Sequence, residues 1–240
     1  MGDRKRTALA DIRIAERISG ALLAHGIETL PVPPFDALPP PVASHPDMLF
    51  FKLGDILISP EKYISENREL FRKISVRHPE LRIIPESRTP GSKYPDDTLM
   101  NALAIGGKLF CRTAGISRTI LDVCVRSGMD IIDTKQGYAA CTVMTAGDRA
   151  VTADEGMCRI LRREGFEVFL IHNGGVSLPP YEYGFIGGAS GFLENKLYFI
   201  GDIDTHPDCA AIKSFISEAG AECISLSDGG LFDGGRLIFL

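Results

Sequence analysis

Two textures of apolar patterning alternate along this chain: short runs rich in β-branched and aromatic residues, and longer stretches in which apolar residues recur at helical spacing. One phrase repeats, a glycine, one residue, an acid and then a β-rich run. It reads GIETLPV from Gly26, GMDIIDT from Gly128, GFEVFLI from Gly165 and GAECISL from Gly220, with a degenerate copy, HPELRIIPE, from His78. A helix-patterned stretch precedes each copy. Before the last, Thr205 is the expected N-cap, Pro207 sits in the first turn, and Ile212, Phe215 and Ile216 form the apolar stripe. Ser59 and Pro60 are expected to open an earlier helix carrying Ile64, Phe71 and Ile74, and Asp154 to open another carrying Met157, Ile160 and Leu161. Hairpins are predicted before the helices, over 48–59, 99–112, 141–153 and 188–201, with Gly54-Asp55, Gly106-Gly107, Gly147-Asp148 and Glu194-Asn195 at their turns. The unit is strand, turn, strand, helix, strand, and self-similarity at about 40–50 residues indicates a repeat architecture.

The two ends complete the count. The segment GLFDGGRLIFL (230–240) reads as a hairpin around Asp233-Gly234-Gly235 with no helix after it. The first part of the chain supplies a helix, TALADIRIAERISGALLAH (7–25), and a strand, GIETLPV, with no hairpin before them. Joined, they predict a fifth unit and cover an edge that would otherwise invite aggregation. The expected fold class is α/β, a five-bladed α/β propeller of ββαβ units, closed by N- and C-terminal segments sharing one blade. One domain, 1–240, would hold blades at 45–86, 94–134, 138–172 and 184–227, and at 228–240 plus 7–32. An ordinary open α/β sheet is the alternative, and it leaves the terminal hairpin unexplained.

Composition narrows the setting. Apolar residues make up 45% and charged residues 24% of the 240 residues, as in ordinary globular proteins. The net charge of −5 and the lack of a basic block give no specific signal for nucleic acid. No apolar run has the length of a membrane span, and the start, MGDRKRTALADIR, lacks the apolar core of a secretory signal. Six cysteines without metal-ligand spacing read as reduced thiols of a cytoplasmic protein, with no metal or other cofactor expected. Cys111, Cys124, Cys158 and Cys223 fit core positions, Cys209 a helix's first turn, and His206 a capping region.

With five such units the chain resembles the pentein superfamily, the fold of arginine deiminases, dimethylarginine dimethylaminohydrolases, agmatine deiminases and amidinotransferases, shared without the chemistry by translation initiation factor six. GGASGFLENKLYFIGD (187–202) resembles that family's Gly-Gly-Asp hairpin, with Ala189 in place of the acid, and YPDD (94–97) resembles the segment that supplies guanidinium-binding carboxylates. The departures are as informative. Those enzymes carry a nucleophilic cysteine in a hairpin near the C-terminus, whereas the last cysteine here is Cys223, on a third strand. Where they place a histidine on a central strand, this chain reads FIGGASG, and the Glu-Gly-Gly-Asp signature is absent. The family's mechanism therefore does not transfer position by position.

In such a ring the first strand of each hairpin lines the central axis, and its leading residues face a shared pocket. The segments 44–48, 94–101, 137–142, 184–190 and 228–233 bring His45, Asp47, Asp96, Asp97, Asn101, Cys141, Thr142, Ser190, Asp228 and Asp233 to that place. The set is suited to amidine chemistry: Cys141 as nucleophile, His45 as acid/base, and Asp47, Asp97 and Asp233 as clamps for a planar cation, with Asp96, Asn101 and Ser190 as further binding residues. Each has a plainer reading. Cys141 beside Val143 suits a small core hydrophobe, His45 before Pro46 a solvated loop, and Asp96-Asp97 a solvated strand entry. The loop 173–184, rich in glycine and aromatics, either connects two units or folds over the pocket. Two functions follow. One is a divergent pentein that binds a small guanidinium- or amidinium-type cation, or a protein or ribosomal partner, at its centre or face. The other is a cysteine-dependent hydrolase or transferase of guanidino compounds.

Overall fold

Thr7, Ala8, Leu9, Ala10 and Asp11 have no exposed surface. A helix of such residues would leave one side toward solvent, whereas an inner strand buries both of its faces. They form β1 (Arg6–Asp11), followed by α1 (Ile12–Ala24) and β2 (Ile27–Val32). The first helix thus begins at Ile12 instead of Thr7, and the Asp11 carboxylate caps it by accepting from Arg13 N at 2.8 Å. The computed structural model describes residues 6–240, so the expectation about the chain's start lies partly outside the described residues.

The remaining units follow in order. A single turn, α2 (Pro46–Leu49), precedes β3 (Phe51–Leu53) and β4 (Ile56–Pro60), and α3 (Glu61–Glu66) and α4 (Arg68–Arg77) lead to β5 (Arg82–Glu86). Then come β6 (Leu103–Ile105), β7 (Lys108–Cys111), α5 (Arg118–Arg126) and β8 (Asp130–Asp133). A second single turn, α6 (Ala139–Thr142), opens β9 (Val143–Ala146), β10 (Arg149–Thr152), α7 (Glu155–Arg163) and β11 (Glu167–Leu170). After β12 (Val176–Ser177) come β13 (Ser190–Leu193), β14 (Lys196–Phe199), α8 (Cys209–Ser217) and β15 (Glu222–Ser225), and then β16 (Leu231–Phe232) and β17 (Ile238–Phe239).

All four predicted hairpins are present with the predicted turns, although Met48 and Leu49 belong to α2, and Cys141 and Thr142 to α6, not to the strands that follow. Asp154 caps α7, accepting from Met157 N at 2.8 Å. Ser59 stays in β4, and the helical stretch after it breaks at Asn67. Thr205 closes a 3-10 turn, and α8 starts only at Cys209. Gly20, in the exposed middle of α1, has nothing within 4 Å of where a Cβ would stand. Gly20→Ala is therefore expected to stabilise the chain by about 1 kcal/mol, read from chemical denaturation followed by circular dichroism.

The result is a mixed α/β fold of five three-stranded sheets and one two-stranded sheet among the described residues, none of which closes on itself. Within the four internal units the hairpin is antiparallel and the strand after the helix joins it in parallel, as in β3-β4-β5. The remaining three-stranded sheet, β17-β1-β2, draws on both ends of the chain, with Ala8 opposite Phe239 and Leu9 opposite Ile238. The expected hairpin over 230–240 does not form. Leu231 and Phe232 pair instead in parallel with Val176 and Ser177, and only Ile238–Phe239 reaches β1. The intervening Gly234-Gly235-Arg236 is drawn across to the segments carrying His45 and Ala140, which a tight hairpin would not reach.

Five apolar clusters sit between sheets, not inside them. One joins the β3 and β6 units (Phe51, Ile58, Leu109, Ile120), one the β6 and β9 units (Leu103, Phe110, Val143, Leu161), and one the β9 and β13 units (Met144, Val151, Phe199, Ile212). A fourth joins the β13 unit to β1 and α1 (Tyr198, Ile200, Ala8, Ile18). The fifth returns from β1 and β2 to the β3 unit through Leu9, Val32, Phe50 and Phe71. No helix among the described residues is long and apolar enough to cross a membrane.

Candidate functional site

The leading residues of three units meet around Cys141. Asn101, in the loop before β6, accepts from the backbone N–H of Ala140 at 2.8 Å and so caps the short α6. Its amide Nδ2 then donates to Cys141 Sγ at 3.0 Å. Asp47, on α2, stands at 2.8 Å from the same sulfur through Oδ2. Gly235 O accepts from Asp47 N at 2.9 Å, which ties α2 to the C-terminal segment. Cys141 is 4% exposed and Asp47 3%.

Beside this trio lies a cavity of about 380 Å³. His45, Asp97, Tyr138, Cys141 and Asp233 contribute its polar wall, Tyr181, Glu182 and Tyr183 face it from the long loop, and Phe185 from just after it. That loop therefore covers the pocket as well as connecting two units. Tyr138 donates to Asp97 Oδ2 at 2.6 Å. Asp233 accepts from Phe185 N at 2.9 Å and from Gly235 N at 3.1 Å. His45 is 1% exposed. Its ring nitrogens lie 3.8 Å from Asp11 Oδ2 and 3.9 Å from Asp233 Oδ1, too far for hydrogen bonds. Both nitrogens of His45, Asp47 Oδ1 and Asp97 Oδ1 are buried without a hydrogen-bond partner among the described residues.

Burial governs the charge states. It pushes the Cys141 thiol well above its ordinary value, and the carboxylates of Asp47 and Asp233 add to that push against the Asn101 hydrogen bond. It lifts Asp47 to about 6, held back first by the Cys141 hydrogen bond and then by the charge of Arg236. It lifts Asp233 to about 7, with Asp47 adding repulsion. Asp97 also rises through burial, opposed by the Tyr138 hydrogen bond. His45 falls to about 3, through burial and then the nearby charge of Arg13. At neutral pH the site thus holds a thiol and a neutral imidazole.

Of the residues expected at the centre, His45, Asp47, Asp97, Asn101, Cys141 and Asp233 lie in this cluster. Asp96 does not: it is exposed and its backbone carbonyl accepts from Gly91 N. Ser190 is buried at the start of β13, where its hydroxyl donates to Gly187 O at 3.2 Å, away from the cavity. Thr142 bonds back to Tyr138 O, and Asp228 is exposed. Sequence reasoning missed Tyr138, Glu182, Arg236 and Asp11. Tyr138 was signalled only by standing one turn before Cys141 in GYAACT. Asp11 was hidden by the helical reading of residues 7–25. Among the described residues no group of three or more histidine, cysteine or acidic side chains is arranged to hold a metal ion.

The fold is that of the penteins. A histidine-to-glycine variant of dimethylarginine dimethylaminohydrolase, solved as its adduct with S-methyl-L-thiocitrulline, superposes with a TM-score of 0.60 over 98% of this chain and 98% of its own, at 10% identity. The Pseudomonas aeruginosa enzyme, a cysteine-to-serine mutant complexed with citrulline, gives 0.58 over 92% and 91%, at 10% identity. An amidinotransferase of the saxitoxin biosynthetic pathway from Microseira wollei gives 0.53 over 87% of this chain and 74% of its own, at 12% identity. The chain itself belongs to the family of unknown function DUF6873, whose family model matches residues 9–238. No curated protein matches it.

Proposed function

We propose that the chain is a divergent pentein whose five ββαβ units, at 45–86, 94–134, 138–172, 184–227 and 228–240 plus 7–32, form a closed ring that binds a small guanidinium- or amidinium-type cation at its centre. The succession of inter-sheet cores, returning from the β1-β2 pair to the β3 unit, supports the ring. The observation that carries the ligand is the cavity wall. Asp97, Asp233 and Glu182 face about 380 Å³ of space among Tyr138, Tyr181 and Phe185, with no lysine or arginine in the lining. Buried carboxylates without a counter-ion are costly, and Asp97 Oδ1 has no donor among the described residues. A planar cation supplies donors to the carboxylates and a face for the rings. The pentein relatives solved with citrulline and S-methyl-L-thiocitrulline make guanidino-derived compounds the first to try.

The test is a panel of arginine, methylated arginines, agmatine and a peptidyl-arginine, read by thermal shift and calorimetry. At least one is expected to bind saturably, and Asp97→Asn to weaken it by about 1.5–3 kcal/mol, or tenfold and more, through loss of a charged hydrogen bond. If no cation in the panel binds, the reading fails and a protein or ribosomal partner on a ring face takes its place.

A second reading, a cysteine hydrolase of guanidino compounds, is favoured by one contact: Cys141 Sγ lines the cavity and already points at Asp47 Oδ2. Asp47 would take the thiol proton as sulfur attacks the planar carbon. The departing amine would leave with a proton passed through His45, and water would then cleave the thiouronium. The elevated thiol pKa ranks this reading below binding alone. It predicts ammonia or amine release that Cys141→Ser abolishes. Any activity surviving in Cys141→Ser sinks it.

A further inference from the structure

A second cavity, of about 430 Å³, is lined by Asp47 and Ala140, whose neighbours Met48 and Cys141 line the first. The leading strand of every three-stranded sheet contributes to it, through Phe51, Leu103, Thr145, Phe192 and Phe239. Into this space, walled by both polar and apolar groups, comes Arg236. Its guanidinium donates to Ala140 O at 3.2 Å, Val143 O at 3.4 Å and Thr145 Oγ1 at 2.8 Å, all neutral acceptors. Among the described residues no carboxylate stands within 4.0 Å of it, and its Nε makes no hydrogen bond. Asp47 acts on it only at longer range, and that carboxylate is already engaged by the Cys141 thiol.

A half-buried arginine without a carboxylate is the mirror image of the acidic wall in the first cavity. Charges in such places are normally paired. Its backbone adds a second, independent sign. Arg236 takes φ +66, a conformation that side-chain-bearing residues rarely adopt, directly after two glycines. Strained positions held by the surrounding structure cluster where ligands are gripped. Lys52, also in the lining, adds a cation whose Nζ is held by Gly54 O at 3.1 Å, with Asp55 and Glu80 nearby.

We propose that this second cavity is a binding site for a small carboxylate with a short apolar tail, its head on Arg236 and its tail among Phe192, Leu193, Leu237 and Phe239. The guanidinium fork matches a carboxylate's two oxygens, and a volume of about 430 Å³ holds such a molecule. The site is distinct from the cation pocket and does not rest on that reading.

The experiment compares butyrate, benzoate and inorganic phosphate with chloride at constant ionic strength, by thermal shift and calorimetry on the full chain. Butyrate or benzoate is expected to raise Tm saturably where chloride does not. Arg236→Gln is expected to weaken binding about tenfold or more. Phe192→Asp, at a half-buried wall position, is a second variant that leaves Arg236 and its hydrogen bonds in place. It supplies a competing carboxylate and should abolish the response. Asp97→Asn, in the other cavity, should leave it intact. No saturable response, an equal effect of chloride, preference for phosphate over both carboxylates, or unchanged binding in Phe192→Asp would each overturn the proposal.

Discussion

Gly187→Ala is expected to lower stability by about 3 kcal/mol, at the upper end of what overpacking costs. A Cβ at this position would stand 2.5 Å from Ala140 O, 2.5 Å from Cys141 O and 2.6 Å from Val143 O. These are backbone atoms and cannot rotate aside as a side chain does. Nor can the two segments slide apart freely, since Gly188 N donates to Cys141 O at 2.9 Å and Arg236 holds Ala140 O and Val143 O. For a chain of this size the loss corresponds to a Tm decrease of about 6–12 °C. With no tryptophan in the chain, circular dichroism is the readout. A Gly187→Ala protein within about 1 kcal/mol of the parent would show that this close approach is looser than described.

The second large effect is pH-dependent. Asp233 stands near pKa 7 in the folded chain, against an ordinary value of 3.8. Between those values the folded state holds a proton that the unfolded state has released. Its contribution is therefore complete below pH 3.8 and is lost as pH rises toward 7. Asp233→Asn removes this dependence while keeping the shape. From pH 5 to pH 8 the variant should gain on the parent by about 2–3 kcal/mol, two pH units at about 1.4 kcal/mol each. Any constant cost of replacing the acceptor for Phe185 N and Gly235 N cancels in the comparison. Denaturation series at the two pH values test it. A stability difference independent of pH would mean that Asp233 is ionised throughout.

The sequence carried the repeat because its signals are local. Glycine at the turns and after the helices, and the acid two residues on, are set by backbone geometry that neighbouring residues dictate. The ends were harder. Thr7–Ala10 read as helical because Ala-rich apolar residues lead into α1 with only Asp11 between, and pairing with β2 and β17 shows them to be a strand. Likewise Leu231–Phe232 pairs with the distant Val176–Ser177, which no local pattern announces. At the site, carboxylates, histidine and cysteine were legible because five similar units imply a common centre. Their division was not. Asp96 and Asp97 are adjacent, yet the 3-10 turn at 96–98 exposes one and buries the other. The single turns α2 and α6 decide how Asp47 and Cys141 come together. Arg236 gave no sign, since an arginine in a terminal strand is ordinarily a solvated edge residue.

The sheet that unites β17 with β1 sets a timetable for biosynthesis. Strand β1 can pair with β2 almost at once, but its other edge finds a partner only at Ile238 and Phe239. Until then the emerging polypeptide displays an unzipped strand edge around Ala8 and Leu9, the kind of exposed flank that invites mispairing before synthesis is complete.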